Sequence, residues 1–276
     1  MNIAADIGNT RLKCAVFFPA ERRAEGFVFP LLPMEEAVDK NALLRQLLGW
    51  KVLPDNDASS GKMVSIGLYP EPITWWMAPT GSFSWKTFQS LILQMRPSDQ
   101  FKTVTRQLIP LKMDVDSPDH VGIDRLLAAL AATKHYGDLP MLIVDAGTAI
   151  TVDVVQNQTF CGGAILPGLT VQAESYPRIS NRLPFIPAPL AFAETESVYP
   201  GKNTEDAILA GIYWGTVGAI RQLYEKAFSR RKNTRLILTG GDAVYLLPGL
   251  MQVISSQRME CHDMLVLEGV YECFAE

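Results

Sequence analysis

Residues 139–151 read LPMLIVDAGTAIT. The apolar run Met141 to Val144 delivers Asp145 to what reads as a strand end, and Gly147, Thr148 and Thr151 follow at once. A carboxylate at the end of a buried strand is costly unless it is paired, hydrogen-bonded or bound to a cation. A glycine beside it lets backbone N–H groups approach an anion. The stretch is therefore the outline of a phosphate and cation site. The same design stands near the start of the chain, where residues 3–10 read IAADIGNT and place Asp6, Gly8 and Thr10 after an apolar run. The two aspartates lie close to half of the 276-residue chain apart. Two related halves facing one nucleotide are expected, and the reading is two small α/β lobes, residues 1–118 and 119–276.

Composition agrees with this size. A hydrophobic content of 48% is ample for a packed core, and the net charge of −4 gives no general attraction to nucleic acid or anionic lipid. No nucleic-acid or membrane partner is expected. Cys14, Cys161, Cys261 and Cys273 form no C-x-x-C pair, so they read as reduced, mostly buried thiols rather than a zinc site or a disulfide framework. With no basic region and apolar signal segment at the N-terminus, a soluble cytoplasmic protein is expected.

Along the chain, residues 2–7 and 12–18 read as a hairpin with Gly8-Asn9-Thr10 at its tip. Lys13, just past the tip, is either an exposed strand lysine or a phosphate contact. Helical spacing covers residues 35–48, and strands are expected at 63–69 and 101–109. The aromatic segment Trp75, Trp76, Phe83, Trp85, Phe88 reads as core leading into a helix that ends near Met95. Gly122-Ile123-Asp124-Arg125 opens an amphipathic helix. Capping accounts for Asp124. It does not account for Arg125, because a cation in the first turn opposes the helix dipole. An anion is expected near it: a substrate carboxylate, a phosphate or a neighbouring Asp.

The run Gly162-Gly163-Ala164-Ile165-Leu166-Pro167-Gly168 is either a tight structural turn or a loop closing over substrate. Residues 177–204, with five prolines, read as irregular, and Asn203-Thr204 as the cap of a helix over 205–228. Gly211, Gly215 and Gly218 on that helix imply close approach of another helix, within the lobe or across a dimer. The strand 235–239 runs into Gly240-Gly241, where a nucleotide base or another backbone can approach. A helix closes the chain.

No Walker A loop, G-x-S-x-G or H-E-x-x-H motif is present, so phosphate must be held some other way. Two Asp-Gly-hydroxyl turns followed by a late Thr-Gly-Gly resemble the actin-like ATPase superfamily, in which two ribonuclease-H-like lobes clasp ATP between them. Within it the chain resembles the type III pantothenate kinases and the related Bvg accessory factor proteins. The carriers are DIGNTRLK (6–13), GIDR (122–125), DAGTAIT (145–151), GGAILPG (162–168), NTEDAILAG (203–211), TGG (239–241) and LEG (267–269).

The resemblance implies ATP-dependent phosphorylation of pantothenate, the first step toward coenzyme A. It makes Asp124 the general base, and it makes Gly122, Ile123, Arg125, Gly163 and Ser180 pantothenate-binding residues. Asp6, Gly8, Asn9, Thr10, Arg11 and Lys13 would cradle ATP phosphates, with Asp6 helping to place Mg²⁺ or another divalent cation. Asp145 would bind K⁺ or NH₄⁺, and Thr148, Gly240 and Gly241 would contact ATP. A homodimer is implied as well. The chain departs from the family pattern at Val115, where a substrate-binding tyrosine is usual, and at Ser180-Asn181-Arg182-Leu183-Pro184, where T-A-x-L-P is usual. Two other readings stay open: a regulatory or accessory protein of the same fold, and a kinase for a sugar or another small hydroxy acid.

Overall fold

The structure, a computed structural model, describes residues 1–8, 11–18, 23–30, 40–52, 63–80, 85–187, 199–228 and 233–275. Its contacts form two compact units, each discontinuous in sequence. One comprises Met1–Pro110, Val121–Ala131 and Met264–Glu276, the other Leu111–His120 and Ala132–Asp263. A single boundary after residue 118 does not describe this grouping.

In the first unit β1 (Asn2–Ile7), β2 (Arg11–Phe18) and β3 (Arg23–Pro30) make an antiparallel meander. Helix α1 (Lys40–Gly49) and the short pair β4 (Lys51–Val52) and β5 (Val64–Ser65) follow. Strand β6 (Thr74–Pro79), helix α2 (Trp85–Met95) and β7 (Gln100–Thr103) complete the unit's large sheet, in the order β3-β2-β1-β6-β7 with β6 and β7 parallel to β1. Ile3, Ala5 and Ile7 of β1 pack with Leu12, Cys14 and Val16 of β2 and with Trp75, Met77, Phe88 and Ile92. Trp75 and Trp76 thus lie in a central strand rather than in a lead-in to a helix; Phe83 is outside the described residues. The strand expected over 63–69 is only β5, because residues 66–68 coil into a 3₁₀ turn, and that over 101–109 stops at Thr103.

Beneath β6 lies a buried polar network. Asp99 accepts from Ile73 N at 2.9 Å and from Trp75 Nε1 at 2.8 Å, and pairs with Arg96 Nε at 2.8 Å. Arg96 donates onward to the carbonyls of Ile66, Tyr69 and Glu71.

The second unit repeats the pattern. Strand β8 (Lys112–Met113) comes first; helix α3 (Ile123–Tyr136) then runs from the first unit into the second. Strands β9 (Met141–Ala146), β10 (Ala149–Gln156) and β11 (Thr159–Pro167) form the meander, followed by helices α4 (Leu169–Ile179) and α5 (Thr204–Phe228). Strand β12 (Arg235–Thr239), helix α6 (Ala243–Val253) and β13 (Met259–Cys261) follow, and α7 (Leu265–Glu272) returns to the first unit. The sheet order is β13-β12-β9-β10-β11-β8, with β12 parallel to β9 and β13 parallel to β12. Strand for strand, β9 to β13 stand where β1, β2, β3, β6 and β7 stand in the first unit. Asp6 and Asp145 are each the penultimate residue of the first strand.

The glycine-rich run 162–168 is neither a turn nor a loop but most of β11. Prolines do not keep residues 177–179 irregular, since α4 continues through Pro177. Asn203 caps α5 as expected, its Oδ1 accepting from Asp206 N at 2.8 Å. Gly211, Gly215 and Gly218 are exposed on α5, and a methyl at any of them would meet nothing within 4 Å among the described residues outside the helix's own backbone, so no helix of the same unit approaches them. Of the cysteines only Cys14 is buried, and Cys261 is exposed. No helix of the described residues is long and apolar enough to cross a membrane.

Candidate active site

In the first unit β1 ends at a turn closed by Gly8 N donating to Arg11 O at 3.1 Å. Asn9 and Thr10 lie outside the described residues. Asp6 faces Lys13 directly across the hairpin and Ala78 on the parallel side. Thr80, just past β6, donates its hydroxyl to Asp6 Oδ1 at 2.6 Å. Burial raises the Asp6 carboxyl, the Thr80 hydrogen bond and the charge of Lys13 oppose it, Asp124 adds to it, and the balance leaves the group at about 6. The same burial, with Asp6 beside it, lifts the Cys14 thiol and leaves it unreactive.

Asp124 enters from the first turn of α3. Its Oδ1 accepts from Arg125 N at 2.9 Å, which satisfies one of the N–H groups a helix start leaves over. Gly122 permits this, because a Cβ there would lie 2.4 Å from Asp124 Oδ1. Arg106 Nη2 holds the preceding carbonyl, Val121 O, at 3.0 Å. Two carboxylates 118 positions apart in sequence thus belong to one unit, where the charge of Asp124 adds to the upward push on Asp6. The repulsion between them fits a divalent cation or a proton.

In the second unit Asp145 lies between Thr151 on β10 and Thr239 on β12. Gly240, with φ +92°, crowds it: a Cβ would stand 2.3 Å from Ala146 O and 2.5 Å from Asp145 Oδ1. Here the close approach is by backbone and carboxylate, and Asp242 N adds a bond to Ala146 O at 2.9 Å. Gly168 packs on the Gly147-Thr148 turn, donating to Thr148 O at 2.9 Å, and its missing Cβ would meet Gly147 O at 2.2 Å. The end of the glycine-rich strand thereby braces the central turn, and Thr148 is left exposed. Gly163 lies opposite buried Asp153 in the β10–β11 ladder. The Val115 side chain reaches toward Gly162, 3.5 Å from where a Cβ would be. Ser180 closes α4 and its Oγ accepts from Arg182 N at 3.2 Å.

The first unit therefore gathers Asp6, Gly8, Arg11, Lys13, Gly122, Ile123, Asp124 and Arg125. The second holds Val115, Asp145, Thr148, Gly163, Ser180, Gly240 and Gly241. Sequence reasoning missed Thr80 and Arg106. Their partners are 74 and 15 positions away, and only the end of the bulky TWWMAP run, had it been read as a parallel strand beside β1, pointed to the first.

The two units share one α/β sheet plan, a three-strand meander extended by two parallel strands with an aspartate next to last in each first strand. A Baf family protein from Campylobacter jejuni has a similar structure, with a TM-score of 0.54 at 20% identity over 99% of this chain and 97% of that one. The chain belongs to the type III pantothenate kinase family, whose model matches residues 2–226. Members of that family phosphorylate pantothenate in coenzyme A biosynthesis. The type III pantothenate kinase of Persephonella marina is 36% identical over 174 residues, 60% of this chain and 62% of that protein. That of Flavobacterium johnsoniae is 30% identical over 255 residues, 92% of this chain and 91% of that protein.

Proposed function

We propose that this chain transfers the γ-phosphoryl group of ATP to the primary hydroxyl of pantothenate, with Asp124 as general base. The observation that carries the reading is the placement in one unit of Asp6, near the end of β1, and Asp124, in the first turn of α3. Phosphoryl transfer asks a protein for positioning and charge stabilisation around the phosphate, plus a carboxylate that takes the nucleophile's proton. With Oδ1 held by Arg125 N, the second oxygen of Asp124 receives that proton. Arg125 binds the pantothenate carboxylate, and Gly122, Ile123, Val115, Gly163 and Ser180 shape the acceptor site. Val115 takes the place of a hydroxyl-bearing side chain, so acceptor affinity there rests on apolar contact.

Gly8, Asn9, Thr10, Arg11 and Lys13 hold ATP phosphates, and Thr148, Gly240 and Gly241 contact the nucleotide. Mg²⁺ held by the ionised Asp6 carboxylate would neutralise charge on the phosphate oxygens. Asp145 is the residue for a monovalent cation. A homodimer in the cytoplasm is part of the same reading, and the exposed glycine face of α5 supports contact with a second copy.

The test is ADP release from ATP and Mg²⁺ against a panel of acceptors: pantothenate, a hexose and other small hydroxy acids. Turnover that depends on pantothenate is expected. Turnover with another acceptor alone, or nucleotide binding with no turnover, contradicts the reading.

A further inference from the structure

Thr80 stands just beyond β6, whose parallel register with β1 sets Ala78 against Asp6 and Pro79 against Ile7. Its hydroxyl lies 2.6 Å from Asp6 Oδ1 and 3.2 Å from Ile7 O. A hydroxyl has one proton to give, and a separation of about 2.5–2.7 Å is that of a charge-assisted bond to a carboxylate. The proton therefore goes to Asp6, while Ile7 O is served by Thr80's own backbone N–H at 3.2 Å. Thr80 is thus anchored at two points of β1, by its hydroxyl and by its backbone N–H, and the carboxylate it holds is fixed in rotation about its last bond.

The second unit has no such hydroxyl at the matching point. There β12 runs into Gly240-Gly241, and the Gly240 backbone crowds Asp145. The two halves of the repeat differ at this position, so the threonine is not a requirement of the sheet order they share.

We propose that Thr80 is a positioning residue of the phosphoryl-transfer site: by engaging Asp6 Oδ1 it leaves the other carboxylate oxygen oriented as the ligand of the divalent cation that accompanies ATP. The inference rests on the kinase reading for the identity of nucleotide and cation, while its geometry lies wholly in the first unit. Valine in place of Thr80 keeps the branched shape and removes only the donor; serine keeps the donor.

The experiment uses the full chain, wild type, Thr80→Val and Thr80→Ser, and reads two quantities. One is Mn²⁺ bound by the protein in the presence of ATP, followed by the enhancement of water-proton relaxation that protein-bound Mn²⁺ gives over the Mn²⁺–ATP complex alone. The other is the Mg²⁺ concentration giving half-maximal phosphorylation of pantothenate. Thr80→Val is expected to weaken Mn²⁺ binding and raise the Mg²⁺ requirement by about tenfold, the scale of one charge-assisted hydrogen bond, with KM for pantothenate unmoved. Thr80→Ser is expected to restore both. Should the valine variant fail to fold, Thr80→Ala carries the same comparison.

Wild-type Mn²⁺ affinity in the valine and alanine variants, or serine behaving like valine, overturns the proposal. So does a wild-type protein that binds no Mn²⁺ with ATP. If Mn²⁺ binding follows the expected pattern but pantothenate is not phosphorylated, the acceptor assignment fails and the role of Thr80 stands.

Discussion

At Asp6, folding makes an aspartate a weaker acid, chiefly because burial penalises its charge. The folded chain keeps this proton up to about pH 6, where an ordinary aspartate at 3.8 has released it. Between those values the native state binds more protons than the unfolded one. Stability from this group is therefore fully present below about pH 4 and is lost as pH rises through 6. In the metal-free protein Asp6→Asn is expected to raise stability at pH 7.5 by as much as ~3 kcal/mol, the advantage shrinking toward nothing near pH 4. Urea unfolding at the two pH values checks it, and an equal effect at both would contradict the burial argument. Such a cost at neutral pH is tolerable where a cation is to be bound. Asp6 and Asp145 stood out in the sequence because acids after apolar runs need a reason, whereas Asp124 read as a helix cap and took its role only from the family resemblance. Thr80 was not, since its meaning comes from a parallel pairing that no local pattern encodes.

Among the elements, β6 is fixed at both ends, by the Asp99 network at its start and by Thr80 at its finish. Arg96→Met would leave Asp99 buried without its ion partner. A loss of about 3–5 kcal/mol is expected, measured by chemical unfolding; a loss under about 1 kcal/mol would show that the N–H donors of Ile73 and Trp75 suffice. Helix α5 behaves oppositely. Its three exposed glycines weaken it with no compensating neighbour among the described residues, so replacing Gly211, Gly215 and Gly218 by Ala is expected to stabilise the folded subunit by roughly 0.5–1 kcal/mol each. Sedimentation of the same variant is expected to show weakened self-association; unchanged association would remove this face from the proposed dimer. Periodicity found α1 and α3, apolar runs found β1, β2, β9 and β12, and the Asn203-Thr204 cap found α5, while β3 and β13 went unread. Periodicity failed on β6, because bulky aromatics do not alternate, and on β11, because glycines that relieve crowding against Asp153 and Thr148 look like a loop when only local preference is considered.

Across the whole molecule, the repeat of sheet order is the feature the sequence announced through two Asp-Gly-hydroxyl turns, and both turns do end the first strand of a five-strand pattern. The grouping of residues into units was not legible. It depends on where α3 and α7 pack, and Gly269 sits so close to Leu127 that a Cβ would be 2.1 Å from its carbonyl oxygen. That contact packs α7 on the start of α3, which with Asp124 belongs to the first unit, as Asp6 does. The central claim is that Asp124 there takes the proton of the acceptor hydroxyl. The most direct measurement is single-turnover formation of phosphorylated pantothenate by wild type and Asp124→Asn, with ATP binding measured on both. The account predicts retained ATP binding and a rate reduced by about 10²–10⁴; an asparagine variant that forms product at the wild-type rate would contradict it.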